Sequence, residues 1–264
     1  MKLSRGAGQV AIVTGASSGI GRAIALALAA RGVHVVAAAR RSGALSELAG
    51  EIARMGETCS PVPTDVTDRN AVHALVEKAL RERGRIDVLV CSAGAYVRGR
   101  LQEVPLAELG RSMEVNFFGT ILPVVEALPH MLARRTGHIV VVSSVDGKKG
   151  IRTDGPYVAA KSAVTGYMDV LRQDLRGTGV GVSTLLPGRV DTPMIRRLRV
   201  PGISAKISAR RVARAALRAI ERNRAELLIP LTSSKAIILL SAISAPLGDF
   251  LIRLFRLEGK ENSA

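Results

Sequence analysis

Short apolar runs alternate with longer stretches of helical period along most of the chain. Runs at 10–13, 33–39, 58–62, 86–91, 138–143, 181–186 and 226–229 read as strands. Helices are predicted over 20–31, 45–55, 68–83, 157–175 and 209–223. The stretch 106–135 holds one or two more, with Pro123 and Pro129 as expected bends. Asp68 is placed to cap the helix that follows it. The strand runs are almost continuously apolar rather than alternating, as strands are when both faces are covered. Strands separated by helices therefore predict an α/β fold: one doubly wound parallel sheet of about seven strands with helices on both faces. No internal repeat or low-complexity linker breaks the pattern, so residues 1–264 are read as one domain.

Composition narrows the picture. The chain has 264 residues, and 47% of them are hydrophobic, which is ample for a packed core and excludes disorder. Two cysteines, Cys59 and Cys91, exclude a disulfide-stapled secreted domain. With no Trp, three Tyr and four Phe, stacking on single-stranded nucleic acid is disfavoured, and no nucleic-acid partner is expected. The apolar run at 10–13 is too short for a signal peptide, so a cytoplasmic chain is expected. The histidines His34, His73, His130 and His138 form no pair with metal spacing, and no metal site is expected. Tyr96 and Tyr167 either line a pocket or pack in the core.

The first strand runs into Thr14-Gly15-Ala16-Ser17-Ser18-Gly19-Ile20-Gly21. Glycines there permit a tight turn, close approach of backbone to a diphosphate, and close packing of helix on sheet. The helix N-terminus that follows offers free N–H groups and a partial positive charge to an anion. A ligand-free glycine turn is the plainer reading, but a strand before and a helix after favour dinucleotide binding. An acid that would bind a ribose 2′-hydroxyl is missing from the end of the second strand, where Arg40 and Arg41 stand instead. Their charge and forked donors suit a 2′-phosphate, which points to NADP(H) rather than NAD(H). The alternative is a pair of solvated loop cations.

Tyr157 and Lys161 lie one helical turn apart, on one face. A free phenol titrates near ~10, and a neighbouring ammonium is expected to lower that value. Ser144 follows a strand, at the carboxyl edge of the sheet, where ligands bind in parallel sheets. Ser144, Tyr157 and Lys161 can therefore converge.

In these motifs and their order the chain resembles the short-chain dehydrogenase/reductase family, over roughly residues 8–230. The glycine turn, Ser144, the Tyr157-x-x-x-Lys161 pair and Pro187-Gly188-Arg189-Val190-Asp191-Thr192 carry the likeness. Asp65-Val66 resembles the family's adenine-contacting pair, and Asn116 resembles the asparagine that completes its catalytic tetrad. The resemblance implies a Rossmann-type fold. It further implies that Tyr157 exchanges a proton with the substrate oxygen and Ser144 orients that oxygen. Lys161 would hold the nicotinamide ribose and depress the Tyr157 pKa, and Asn116 would hold a water leading to solvent. Gly15, Ser17, Ser18, Gly19, Ile20 and Gly21 would cradle the cofactor, with Ala93 and Gly94 letting it approach. Pro187, Gly188, Val190 and Thr192 would line the nicotinamide. One departure is Cys91-Ser92-Ala93-Gly94 where the family usually shows Asn-Asn-Ala-Gly, which removes side-chain hydrogen bonds and puts the order of that loop in doubt. Cys91 itself reads as a small buried residue.

Charge and the C-terminal region leave more open. Between Arg189 and Arg224 ten arginines and Lys206 stand against Asp191 and Glu221, a net of +9 within a formal total of +16. The resemblance places a substrate-covering lid at about 191–210. A solvated helix face, an acidic carrier or substrate, anionic lipid and nucleic acid each fit such a field. The extension at about 231–264 is apolar over 234–245, then sets Phe250, Leu251, Leu254 and Phe255 beside Arg253 and Arg256. It is too short and broken to span a bilayer, but it can lie on a membrane surface, cover the substrate pocket or pack against a second subunit. Such tails resemble those of family members acting on lipids. The expected activity is NADP(H)-dependent interconversion of an alcohol and a ketone or aldehyde, on an apolar small molecule, in a homo-oligomer. A 3-oxoacyl-carrier-protein reductase and a non-catalytic dinucleotide-binding scaffold are the alternatives.

Overall fold

The computed structural model describes residues 1–261, without the side chains at 203, 231–234, 237, 260 and 261. The strands are β1 Val10–Thr14, β2 His34–Ala39, β3 Cys59–Pro63, β4 Val88–Cys91, β5 Gly137–Val142 and β6 Val180–Pro187. Short β7 Val190–Asp191, β8 Leu198–Arg199 and β9 Ile207–Ser208 follow, then β10 Glu226–Ile229 and β11 Lys260–Glu261. The helices are α1 Gly19–Ala29, α2 Ser42–Arg54, α3 Arg69–Arg83, α4 Leu106–Met113, α5 Gly119–Ala133 and α6 Gly155–Asp174. They continue with α7 Ala209–Arg222, α8 Leu231–Ile243 and α9 Ala245–Leu254.

Seven strands form one sheet in the order β10-β6-β5-β4-β1-β2-β3, and every neighbouring pair is parallel. The predicted α/β class and strand count are borne out. β1, β2, β4 and β5 are buried along their whole length, which is why their sequences run apolar without a break. One face packs Ile24 and Leu28 of α1, Leu45 and Ile52 of α2, and Val212 and Ile220 of α7. The other packs Leu75 of α3, Met131 of α5, and Val164 and Met168 of α6. Pro61 and Pro63 sit in β3, at the sheet's edge, where a missing N–H costs least.

Asp68 caps α3 as expected, its Oδ1 accepting from the Asn70 and Ala71 N–H groups at 2.8 and 3.3 Å. The 106–135 stretch departs from expectation. Two helices form, but they are divided by a π-helical turn at Glu114–Phe118, and both prolines lie inside α5. The run 106–133 is long and apolar enough to cross a membrane by length and composition, though no single 18-residue apolar block marks it in the sequence. In the fold Ile121, Val124, Ala127 and Met131 of α5 are core residues.

Strand order reverses between β1 and β4. From β1 the chain moves outward through β2 and β3; β4 returns to β1's other side and begins the second half. The connections that follow β1 and β4 thus run to opposite sides of the sheet, leaving a crevice at the carboxyl edge. Past β6, β7 pairs with β9, and the C-terminal β11 pairs antiparallel with β8. Ser244 joins α8 to α9 and caps α9, so Pro246 starts a helix rather than merely interrupting an apolar run.

Candidate active site

The two strand exits touch. Gly15, at φ +66°, follows β1, and a Cβ there would lie 2.7 Å from the Ala93 nitrogen. A Cβ on Gly21 would collide with the Gly15 carbonyl. The turn therefore admits only glycine at both positions. The Thr14 hydroxyl accepts the Ser92 and Ala93 N–H groups at 3.2 and 3.4 Å. These bonds order the loop after β4 without the family's two asparagines. Ser18 precedes α1 in an extended conformation and makes no side-chain cap, so α1 keeps its first-turn N–H groups free of a side-chain acceptor.

A cavity of about 470 Å³ occupies the crevice, and every residue predicted above for cofactor or catalysis lines it. At one end stand Arg40 and Arg41, with Arg41 Nη2 donating to Ser17 Oγ at 3.0 Å. Asp65 and Val66 follow. The Thr67 backbone N–H holds the Asp65 carboxyl below its usual range, against a burial effect, with help from the Thr67 hydroxyl and Arg40. Toward the other end come Ala93 and Gly94, then Pro187, Gly188, Val190 and Thr192 at the exits of β6 and β7. The Thr192 methyl packs against Gly19.

Ser144 leaves β5 and caps a short 3₁₀ turn, its Oγ accepting the Asp146 N–H at 3.1 Å. Tyr157 and Lys161 stand in the first turns of α6. The Ser144 hydroxyl lies near the Tyr157 phenol and counters the rise in its pKa. Lys161 is buried; its Nζ donates to the Val142 carbonyl at 2.9 Å and lies 5.7 Å from the Tyr157 ring centroid. Asn116 sits on the π-helical turn, wholly buried. Its amide clamps Ala95 in both directions, accepting the Ala95 N–H at 3.1 Å and donating to the Ala95 carbonyl at 2.9 Å.

The expected depression of the Tyr157 pKa is not found. Burial pushes the phenol upward, and the Asp146 carboxylate adds to that shift, while the Ser144 hydroxyl opposes it. The Lys161 ammonium is directed at a backbone carbonyl, and desolvation lowers its own pKa to about 8.

Tyr96, Asp146 and Arg189 are among the lining residues that carried no assigned role. Tyr96 meets Tyr157 edge to face, with centroids 5.1 Å apart. Burial raises Asp146 to about 6, helped by nearby Asp154 and opposed by Arg189. Arg98 Nε lies 3.6 Å from the fully buried Asp154. Asp146 follows Ser144 by two residues and Arg189 sits inside the Pro187–Thr192 motif, so proximity in sequence to the motifs was the available signal. The C-terminal region completes the site. Ile238, Ile252 and Leu257 roof the cavity. Arg189 Nη2 donates to the Leu257 carbonyl at 2.7 Å, and Arg98 Nη2 to the Glu258 carbonyl at 2.6 Å.

The family model of the short chain dehydrogenases matches residues 9–201. The chain belongs to that family. This short-chain dehydrogenase is 31% identical over 256 residues to the ketoacyl reductase HetN of Nostoc sp., covering 94% of this chain and 89% of that one. It is 39% identical over 188 residues to a glycine betaine reductase of Emericella nidulans, but spans only 15% of that much longer protein and 71% of itself. Its fold matches the crystal structure of an actinorhodin polyketide ketoreductase variant with NADPH at a TM-score of 0.79 and 29% identity, over 84% of this chain and 95% of that one. The dehydrogenase is thus an oxidoreductase, and its family binds a nicotinamide dinucleotide. The residues present fit that group: the glycine cradle closes on backbone, α1 has an uncapped N-terminus, and one crevice joins both to Ser144 and Tyr157.

Proposed function

We propose that this short-chain dehydrogenase interconverts an alcohol and a ketone or aldehyde with NADP(H), on an apolar small molecule. One observation carries the reading: a single cavity joins the glycine turn and the Arg40/Arg41 pair to Ser144, Tyr157, Lys161 and Asn116. Gly15, Ser17, Ser18, Gly19, Ile20 and Gly21 would hold the diphosphate, Asp65 and Val66 the adenine, and Arg40 and Arg41 the 2′-phosphate. Lys161 would hold the nicotinamide ribose. When bound, the dinucleotide supplies or accepts a hydride.

Ser144 and Tyr157 line the same cavity and would both contact the substrate oxygen there. A phenol raised above its ordinary range stays protonated at neutral pH, so Tyr157 is poised as a proton donor to that oxygen. The Lys161 ammonium, charged below about pH 8, would steady the phenolate that remains. Asn116 holds the strand-exit backbone at Ala95 in place beside Lys161. The roof of Ile238, Ile252 and Leu257 supports an apolar substrate.

Reduction of a 3-oxoacyl group is the second enzymatic reading, favoured by the likeness to HetN and to the polyketide ketoreductase. A scaffold role is the reading from another class. Replacing Tyr157 by Phe separates enzyme from scaffold: turnover across a screen of ketones, steroids and acyl carbonyls should fall by roughly 10²-fold or more, with cofactor affinity retained. Unchanged turnover, or none in the unaltered chain on any carbonyl, would defeat the proposal.

A further inference from the structure

Two guanidiniums hold the end of the chain over the catalytic cavity. Arg98 is mostly buried, and its Nη2 donates to the Glu258 and Gly259 carbonyls at 2.6 and 3.2 Å. Arg189 Nη2 donates to the Leu257 carbonyl at 2.7 Å. Three successive carbonyls are thus taken by side chains from two distant loops, and Leu257, the first of them, is buried and lines the cavity. Just beyond, β11 pairs with β8. Gly259 enters that pairing at φ +65°, where a Cβ would lie 2.6 Å from the Arg199 carbonyl oxygen. Lys149 also pairs with Asp249 of α9 at 2.7 Å, but the Asp249 side chain is 59% exposed, so solvent and salt weaken that tie.

The seat of Arg98 is itself built. Its Nε donates to the Thr153 hydroxyl at 3.0 Å and lies 3.6 Å from the wholly buried Asp154 carboxylate. Thr153 sits in the left-handed region at φ +72°, which a β-branched residue rarely adopts, and its carbonyl accepts the Gly99 N–H at 2.8 Å. Such strain persists only where the surroundings impose it, and it clusters at functional sites. Two residues before Arg98, Tyr96 lines the cavity and packs edge to face on Tyr157. Arg98 therefore joins the loop beside the reacting phenol to the chain's end. A guanidinium, with Nε and Nη donors fixed in one plane, can serve the hydroxyl and two carbonyls together. The joint is not saturated: Tyr96 Oη, Arg98 Nη1, Asp154 Oδ2 and Glu258 Oε2 are buried without hydrogen-bond partners among the described residues. Buried polar atoms left unpaired weaken a closed arrangement, so the segment is held but not locked.

We propose that Arg98 is a positioning residue that sets substrate preference: it latches residues 257–259 across the cavity, so that Leu257 closes on the apolar part of a carbonyl substrate held at Tyr157. The latch stands on the geometry alone; only the substrate clause rests on the proposed function.

Hydrogen exchange read by mass spectrometry on the full chain tests the latch without turnover. In Arg98→Ala, amides of the peptide spanning 255–261 should exchange roughly tenfold faster or more, since charged hydrogen bonds are lost, while those of β5 and α6 keep their protection. Removing Arg98 also leaves the Asp154 carboxylate buried without its counter-ion, so a second variant breaks the latch from the other partner. Gly259→Ala collides with the Arg199 carbonyl and should give the same release. In both variants the KM for apolar ketones should rise roughly tenfold, with kcat and the KM for NADPH little changed. Unaltered exchange at 255–261 in both variants overturns the latch. Loss of protection in β5 and α6 as well, in both variants, overturns it by making the two residues merely structural. Faster exchange at 255–261 with an unchanged KM for every ketone overturns the role in substrate preference. A chain that reduces no carbonyl defeats the proposed function, and the exchange result still judges the latch.

Discussion

Around Tyr157, burial and the Asp146 carboxylate both push the phenol upward, and only the Ser144 hydroxyl opposes them. Asp146 is itself buried and titrates near 6, above its usual 3.8. A carboxyl raised in the folded state stabilises the fold below its unfolded pKa and loses that contribution as pH rises through its folded pKa. Asp146→Asn should therefore melt progressively higher than the unaltered chain as pH climbs from 4 to 7. His34 and His138, both lowered to about 4 by burial, titrate in the opposite sense, but they are common to both proteins and cancel in the difference. A gap in melting temperature that stays flat over this window would contradict the burial of Asp146. Arg41 offers a separate check at the far end of the cavity. Arg41→Ala should raise the KM for NADPH by roughly 10-fold, the worth of a charged hydrogen bond, and leave that for NADH unaltered. Equal effects on both cofactors would mean that this guanidinium does not meet a 2′-phosphate.

Elements were legible to different depths. The strands buried on both faces declared themselves through unbroken apolar runs, as in Val35 to Ala38 and Ile139 to Val142. Asp68 announced α3 because an N-cap is a local hydrogen bond, made within three residues. The π-helical turn at Glu114–Phe118 was not legible, since no residue pattern distinguishes one wide turn from the helix around it. Prolines at 123 and 129 drew attention instead, although helix α5 accommodates both. Asn116 was found by resemblance alone. Its role in the fold, clamping Ala95, depends on a contact across 21 residues. The glycine turn was readable as a turn, but the reason for Gly15 lies in Ala93, on another strand's exit.

On the scale of the whole molecule, the C-terminal region decides how closed the site is. Of the three roles open to it, the fold shows one directly, because Ile252 and Leu257 are buried over the cavity. Its outer side remains apolar, with Leu239, Ile243, Phe250 and Leu254 each more than half exposed. That face, with Arg253 and Arg256 beside it, supports docking on anionic membrane. Exposed Phe118, Val125, Tyr167 and Val170 on α5, α6 and the turn before α5 give a second apolar surface, which supports association with a like chain. A chain ending at Ser233 separates these surfaces. It should lose flotation with anionic liposomes, should show a higher KM for apolar carbonyls, and should sediment as the same oligomer as the full chain. Equal flotation of both forms would remove the membrane role.

Residue order by itself determined the parallel sheet, the glycine turn at its edge and the helical spacing of Tyr157 and Lys161, because each rests on local period or on contacts a few residues long. Tertiary structure alone decided that Asp146 and Arg189 share the cavity with Tyr157, that the Tyr157 pKa rises and that the tail becomes a roof. Those outcomes depend on burial and on charges brought together from distant segments, as when Arg98 reaches Glu258 across 160 residues, and no short-range pattern encodes such distances.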